Sequence, residues 1–294
     1  MAQSETIGFI GVGLMGSGIA ANLLKGGYQV TVLANRNRAP IDDLLARGAT
    51  EVANLDDLAA ASSAIFLCLP NSDVIEGVLT GANGLLGKMK SGSVIIDCST
   101  ANPVSTMAMA AQAQTFGRDF GDSPQGRSPK EDGDGELEAM VGAADAVFAR
   151  VRPMIDCWAG KIVHIGDVGA GHKMKLINNF LSMGYGALYA EALTLAKSVG
   201  LEPEVFDSVI RGGRMDSGFY QTFMNYTLHG DQNAHKFTLT NALKDMRYCE
   251  AMAQANGIAN PVGNAVKNSY SLAVSTGGNG PDDHVPMLPE RIAR

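Results

Sequence analysis

A doubly wound α/β sheet followed by an all-α C-terminal domain is the fold this sequence predicts, and three observations predict it. Residues 6–167 alternate short β-rich runs with helical patterns, the β-runs stop after residue 170, and a glycine-rich turn at 11–16 links a strand to a helix. A chain of 294 residues is long for one core, since domains average about 150 residues. Two domains are therefore expected, 1–168 and 169–294, joined through a long helix.

The strands in order are TIGFIG (6–11), QVTVLA (29–34), SAIFLCL (63–69), SVIIDC (93–98), LEAMVG (137–142) and KIVHIG (161–166). Most are continuous apolar runs, the pattern of strands buried on both faces of a parallel sheet. Cys68 and Cys98 fall inside two of them and read as core filler. Residues 171–199 form one helical pattern, about 43 Å long at 1.5 Å per residue and apolar enough to expect burial, in part against a second subunit. Further helices are expected near 203–211, 216–229, 240–256 and 262–275, before a Gly/Pro-rich tail. No internal repeat is visible.

Composition narrows the partners. A net charge of −7 without a basic run argues against nucleic acid and anionic membrane surfaces, both of which select a positive face. The N-terminus lacks the basic start and apolar stretch of a signal peptide, and no apolar run reaches the ~20 residues of a membrane span, so a soluble cytoplasmic protein is expected. The four cysteines stand singly, without CxxC spacing or paired histidines, which points to reduced thiols and to no metal site.

The stretch GFIGVGLMGSGIAANLLKGGYQVTVLANR carries the first chemistry. Gly11-x-Gly13-x-x-Gly16 follows a strand and opens a helix, so the glycines can form the tight turn, admit a pyrophosphate and let helix and strand pack closely. With a second strand at the right distance this is a Rossmann-type dinucleotide site. At the end of that second strand an NAD site usually offers a carboxylate to the ribose; here stands Asn35-Arg36-Asn37-Arg38. Arg36 or Arg38 could pair with a 2′-phosphate, which favours NADP over NAD.

The second chemistry-bearing stretch is GAGHKMKLINNFLSMG (169–184). At about 100° per residue Lys175 lies roughly 40° from Asn179 and 60° from Asn178, so the three share one helix face while Lys173 points away. Carbonyl reduction by hydride transfer leaves negative charge on oxygen, which an ammonium can stabilise and then protonate without a metal. His172, nearly aligned with Asn179, reads as a cap or surface group, with a supporting place behind the substrate-binding residues as the alternative.

Together, GFIGVGLMG at 8–16, LPN at 69–71, DCSTANP at 97–103, DSPQGRSP at 122–129, GAGHKMKLINN at 169–179 and LKD at 243–245 resemble the β-hydroxyacid dehydrogenase family, the 3-hydroxyisobutyrate dehydrogenase-like enzymes, across nearly the whole chain. The resemblance implies an NAD(P)-dependent enzyme, a homodimer or homotetramer, acting on small anionic hydroxy acids or semialdehydes of three to four carbons. It implies that Lys175 is the general acid/base and that Asn178, Asn179, Ser99 and Ser128 hold substrate. Leu14, Met15, Leu69, Pro70, Asn71, Thr100 and Lys244 would lie along the cofactor.

One turn departs from the commonest family pattern, in which Ser-Gly-Gly cradles the substrate carboxylate. This chain has Gly126-Arg127-Ser128, similar to the sulfolactaldehyde reductase branch, and a guanidinium fork suits a carboxylate, phosphate or sulfonate. The alternative is that Arg127 pairs with the adjacent acidic loop KEDGDGE. Among rival functions, a 6-phosphogluconate dehydrogenase carries His where this chain has Asn178 and has a much longer helical domain. An imine reductase typically replaces the lysine, and a non-catalytic dinucleotide-binding scaffold would be expected to lose Lys175 or the Asn pair.

Overall fold

The computed structural model describes residues 5–33, 37–81, 83–126 and 136–292. The chain divides into two compact units, Met1–Lys175 and Leu176–Arg294.

In the first unit, nine strands among the described residues form one sheet: β1 (Thr6–Ile10), β2 (Gln29–Leu33), β3 (Thr50–Val52), β4 (Ala64–Leu67), β5 (Val94–Asp97), β6 (Asp119–Asp122), β7 (Gln125–Gly126), β8 (Leu137–Gly142) and β9 (Ala159–Gly166). Their order is β3-β2-β1-β4-β5-β6-β8-β7, with β9 also paired to β8. From β3 to β6 every pairing is parallel. Beyond β6 the sheet is mixed, with β8 antiparallel to β6 and β7 and parallel to β9. The intervening helices are α1 (Gly16–Lys25), α2 (Ala39–Ala46), α3 (Leu55–Ala61), α4 (Ser72–Thr80), α5 (Pro103–Thr115) and α6 (Asp145–Ile155).

Strand side chains alternate between two cores because the pleat has a period of two. Ile7, Phe9, Phe66 and Ile96 pack with Ile19 and Leu23 of α1, Val151 and Ile155 of α6, and Trp158. Ile65, Leu67 and Ile95 face the other way, onto Leu58 of α3, Ile75 and Leu79 of α4 and Met109 of α5. Each fully buried large side chain contributes about 1.5–3 kcal/mol, which explains the continuous apolar runs. Cys68 and Cys98 lie one residue beyond β4 and β5, not inside them. Three short strands were not expected: TEV in β3 is mostly polar at the exposed edge, DFGD in β6 carries the buried Asp122 beside an exposed Asp119, and β7 has only two residues.

A 29-residue helix, α7 (Ala170–Ser198), begins in the first unit and continues into the second. The second unit also holds α8 (Pro203–Ile210), α9 (Gly218–His229), α10 (Leu239–Ala255), α11 (Pro261–Ser275) and α12 (Leu288–Ile292). Met183, Ala187 and Ala190 of α7 pack with Tyr220 and Phe223 of α9, Leu243 and Met246 of α10, and Tyr270 of α11. Gly186 permits a close approach, since a Cβ there would sit 2.7 Å from the Tyr270 hydroxyl. Burial of α7 is one-sided: Ile177, Leu181, Leu188 and Leu195 form an exposed apolar stripe on its other face.

Candidate active site

The carboxyl ends of β1, β4, β5 and β6 share one edge of the first unit because these strands are parallel. The chain winds outward from β1 to β3 and then crosses back to β4, so β1 and β4 flank the topological switch point where doubly wound sheets bind ligands. The glycine turn sits there. Gly11 has φ +99°, and a Cβ would lie 2.2 Å from the Cys68 carbonyl oxygen; at Gly16 it would lie 2.0 Å from the Gly11 carbonyl. At Gly13 a Cβ would meet nothing within 4 Å, leaving open space before α1. Met15, the N-cap residue of α1, supplies no side-chain cap, and although the Ser17 N–H donates to the Gly13 carbonyl at 3.0 Å, this helix start suits an anion. The turn fits a dinucleotide pyrophosphate: two glycines tightly packed, the middle one open. Leu14 is exposed at its mouth, while Met15 is half-buried.

Asn35 and Arg36 lie outside the described residues. Arg38 precedes α2, exposed, and its guanidinium is gripped by the Glu51 carboxylate of β3, with Asp42 3.0 Å away. These contacts push the Arg38 pKa further upward, the Glu51 hydrogen bond first, and hold the Glu51 carboxyl below its ordinary range. Glu51 and Asp42 thus engage both Nη groups of this guanidinium.

At the ends of β4 and β5, Leu69 and Thr100 are half-buried and Pro70 exposed. Asn71 caps α4 by accepting the Val74 N–H at 3.0 Å. Ser99 is buried: its hydroxyl accepts the Leu69 N–H at 2.9 Å, and its own N–H donates to Asp97 Oδ1 at 2.9 Å. Ser99 therefore brackets the two strand ends.

The head of α7 is held by a carboxylate from β6. Asp122 Oδ2 accepts the His172 N–H at 2.6 Å and Oδ1 accepts the Gly169 N–H, so a strand residue about fifty positions upstream caps the helix. Burial pushes the Asp122 carboxyl above its ordinary range, and His172 with the two N–H groups pulls it back. Glycine permits the approach, for a Cβ on Gly171 would lie 2.2 Å from the Met140 carbonyl oxygen. His172 is wholly buried, not the cap or surface group its position suggested, because its ring nitrogens reach Thr106 Oγ1 at 2.8 Å and the Ser99 carbonyl at 3.0 Å. Lys173 is exposed, as expected of the residue facing away, and Lys175 is half-buried.

Within the second unit Asn178 is exposed, whereas Asn179 is buried and its Nδ2 donates to Asp245 Oδ2 at 2.7 Å. The second oxygen, Oδ1, has no hydrogen bond but lies 3.4 Å from Lys244 Nζ, and Lys244 also sits over the Tyr248 ring at 5.7 Å. Arg127 and Ser128 lie outside the described residues. Sequence reasoning singled out neither Asp122 nor Asp245. The available signals were a carboxylate inside a buried β-run and the aspartate of LKD. Among the described residues no cluster of three or more His, Cys, Asp or Glu side chains could hold a metal ion, and no helix is long and apolar enough to cross a membrane.

Comparison with known proteins agrees with this geometry. Residues 6–166 match the NAD-binding domain of 6-phosphogluconate dehydrogenase, and residues 169–289 match a family described as NAD-binding of NADP-dependent 3-hydroxyisobutyrate dehydrogenase. The chain is 42% identical over 211 residues to the 2-(hydroxymethyl)glutarate dehydrogenase of Eubacterium barkeri, covering 71% of this chain and 69% of that one. It is 32% identical over 272 residues to the 3-sulfolactaldehyde reductase of Escherichia coli K12, covering 92% and 91%. The crystal structure of a 3-hydroxyisobutyrate dehydrogenase from Salmonella typhimurium superposes with a TM-score of 0.83 at 26% identity, covering 96% of this chain and 99% of that one. On these matches the chain belongs to the β-hydroxyacid dehydrogenase family, NAD(P)-dependent oxidoreductases acting on hydroxyl and aldehyde groups.

Proposed function

We propose that the protein interconverts a small 3-hydroxy acid and its semialdehyde, that the substrate carries an anionic group away from the reacting carbon, and that Lys175 is the proton carrier. The observation that carries this reading is the sharing of one face of α7 by Lys175, Asn178 and Asn179, one helical turn beyond the Asp122 cap. The nicotinamide cofactor, when bound at the Gly11–Gly16 turn, supplies or accepts the hydride at the carbonyl carbon. In the reducing direction Lys175 stabilises the negative charge growing on the carbonyl oxygen and gives it a proton; in the oxidising direction its neutral amine takes the hydroxyl proton. Asn179, its amide oriented by Asp245, and Asn178 hold the substrate beside that lysine.

Arg127 is the proposed reader of the distal anion. The two relatives at 42% and 32% identity are named for substrates bearing a second carboxylate or a sulfonate, chemistry that a guanidinium fork accommodates. NADP is the proposed cofactor, with Arg36 as the candidate for the 2′-phosphate because Arg38 is already engaged. The exposed stripe on α7 supports a homo-oligomer, which light scattering on the purified chain tests directly. The function itself is tested by following NADPH and NADH oxidation with succinic semialdehyde, methylmalonate semialdehyde, 3-sulfolactaldehyde and a neutral aldehyde of equal length. Turnover confined to the anionic compounds is expected, and the absence of turnover with all of them sinks the reading.

A further inference from the structure

His172 has a buried imidazole with more connections than a helix start requires. Asp122 already satisfies the first N–H groups of α7, yet the His172 ring makes two further directional contacts. Nε2 lies 3.0 Å from the Ser99 carbonyl oxygen, which can only accept, so Nε2 carries a hydrogen and donates it. Nδ1 pairs at 2.8 Å with the hydroxyl of Thr106 in α5, the helix that follows Ser99 and Thr100. Asp97 and Asp122 carboxylate oxygens stand 3.9 Å from Nε2 and 3.8 Å from Nδ1. Ser99 continues the line, since its hydroxyl holds the Leu69 N–H at 2.9 Å. A chain of hydrogen bonds thus runs from the ends of β4 and β5, through one imidazole, to the turn of α7 that bears Lys175. Ser99, Thr106 and His172 are buried, and the whole line lies within the first unit.

We propose that His172 is a positioning residue that couples the two loops after β4 and β5, carrying Leu69 and Ser99–Thr100, to the first turn of α7, so that a nicotinamide cofactor bound at the strand ends fixes where Lys175 stands. The catalytic part of this rests on the reading of Lys175 as proton carrier; the mechanical part does not. An imidazole suits the task because it is rigid and offers a group to each side at once, while the glycines at 169 and 171 let the turn lie against the sheet.

Hydrogen exchange on the full chain, read by mass spectrometry with and without NADPH, tests it. In the wild type NADPH slows exchange in both 97–101 and 168–175. His172→Leu keeps bulk but removes both ring contacts: NADPH still protects 97–101, protection of 168–175 is lost, and kcat for the most active semialdehyde falls roughly ten- to hundredfold with KM for NADPH little changed. His172→Gln, whose amide can donate to Ser99 and accept from Thr106, restores most of both readouts. If His172→Leu does not fold, Thr106→Val, which deletes one ring partner, is judged by the same criteria. The proposal is overturned if NADPH leaves 168–175 unprotected in the wild type, if His172→Leu retains the coupled protection, or if His172→Gln is as impaired as His172→Leu. Lys175→Ala separates the two readings: it leaves the coupled protection intact in either case, and if it also retains turnover, the lysine assignment fails while the coupling stands.

Discussion

Asn179 donates its side-chain amide to Asp245 across 2.7 Å, with both side chains buried in the second unit. The contact fixes which end of the amide points away from Asp245, because a carboxylate accepts only from the NH2 end. Asn179 therefore presents a defined acceptor, its Oδ1, to whatever lies on that side of α7. A hydrogen bond to a charged group is worth about 1.5–3 kcal/mol, enough to hold one amide orientation.

Removing that orientation should harm substrate binding more than cofactor binding. Asp245→Ala is expected to raise KM for the hydroxy acid about tenfold or more, and Asp245→Asn, which keeps an acceptor, should lose less. Asn179→Asp should be worse than either, because it sets two carboxylates against each other in a buried place. Equal steady-state constants for wild type and Asp245→Ala would show that the amide orientation does not matter.

For Lys175, replacement by alanine removes both the proton donor and the positive charge while leaving the glycine turn untouched. Cofactor affinity measured by NADPH fluorescence should survive, and turnover should fall by about a hundredfold or more. Lys173→Ala, on the exposed side of the same helix, should cost little. A Lys175→Ala enzyme with near wild-type kcat would end the assignment.

Much of this site is legible in the sequence because local rules specify it. The glycine turn needs fixed spacing, and its three glycines meet the crowded, open and crowded surroundings that the spacing implies. Lys175 and the Asn pair share a face through helical periodicity alone. The rest depends on partners far along the chain. Nothing near Asp122 indicates that it will cap a helix about fifty residues later, so neither that role nor the strand that holds it is legible locally. The burial of His172 is hidden for the same reason, since Thr106 and Ser99, which hold its ring, lie 66 and 73 residues earlier. The Glu51 partner of Arg38 is likewise invisible locally, since β3 is a strand too polar to recognise in the sequence.

The Arg38–Glu51 contact bears on the proposed preference for NADP. Arg36→Ala should weaken NADPH by roughly 1.5–3 kcal/mol, about ten- to hundredfold, and leave NADH nearly unchanged. Arg38→Ala alone should matter less, because its donors are already taken. Glu51→Gln frees part of that guanidinium and should tighten NADPH relative to NADH. Parallel changes for both cofactors in all three variants would refute the charge-reading account; fluorescence titration measures them.

Acid should destabilise the second unit through His235. Its Nε2 is sealed from solvent without a hydrogen bond, and burial, with His284 adding repulsion, pushes its pKa down to about 4. The unfolded chain binds this proton near the ordinary value of about 6.5, so between the two values the unfolded state holds more protons and stability rises with pH. The contribution is complete above about 6.5 and is lost as pH falls toward 4, at no more than about 1.36 kcal/mol per pH unit for one proton. Urea midpoints at pH 7 and pH 5 should therefore differ less in His235→Phe than in the wild type. Identical differences would show that His235 does not titrate in this window.

Arg127 offers the sharpest test of substrate class. If its guanidinium grips a distal anion, Arg127→Ala should raise KM for 3-sulfolactaldehyde and succinic semialdehyde and lower kcat as well, because the carbonyl would no longer be held near Lys175. Neutral aldehydes of the same length should be almost unaffected. Arg127→Lys should recover part of the loss, since an ammonium keeps the charge but not the planar fork. The competing reading, an exposed ion pair with the acidic loop at 130–136, predicts a small, salt-sensitive change in stability and the same kinetics for every substrate. The ratio of kcat/KM for charged and neutral aldehydes, measured in wild type and Arg127→Ala, separates the two. A ratio unchanged by the substitution would move anion recognition from Arg127 to the Asn178–Asn179 pair, whose amides can bind a carboxylate but carry no charge to select for it.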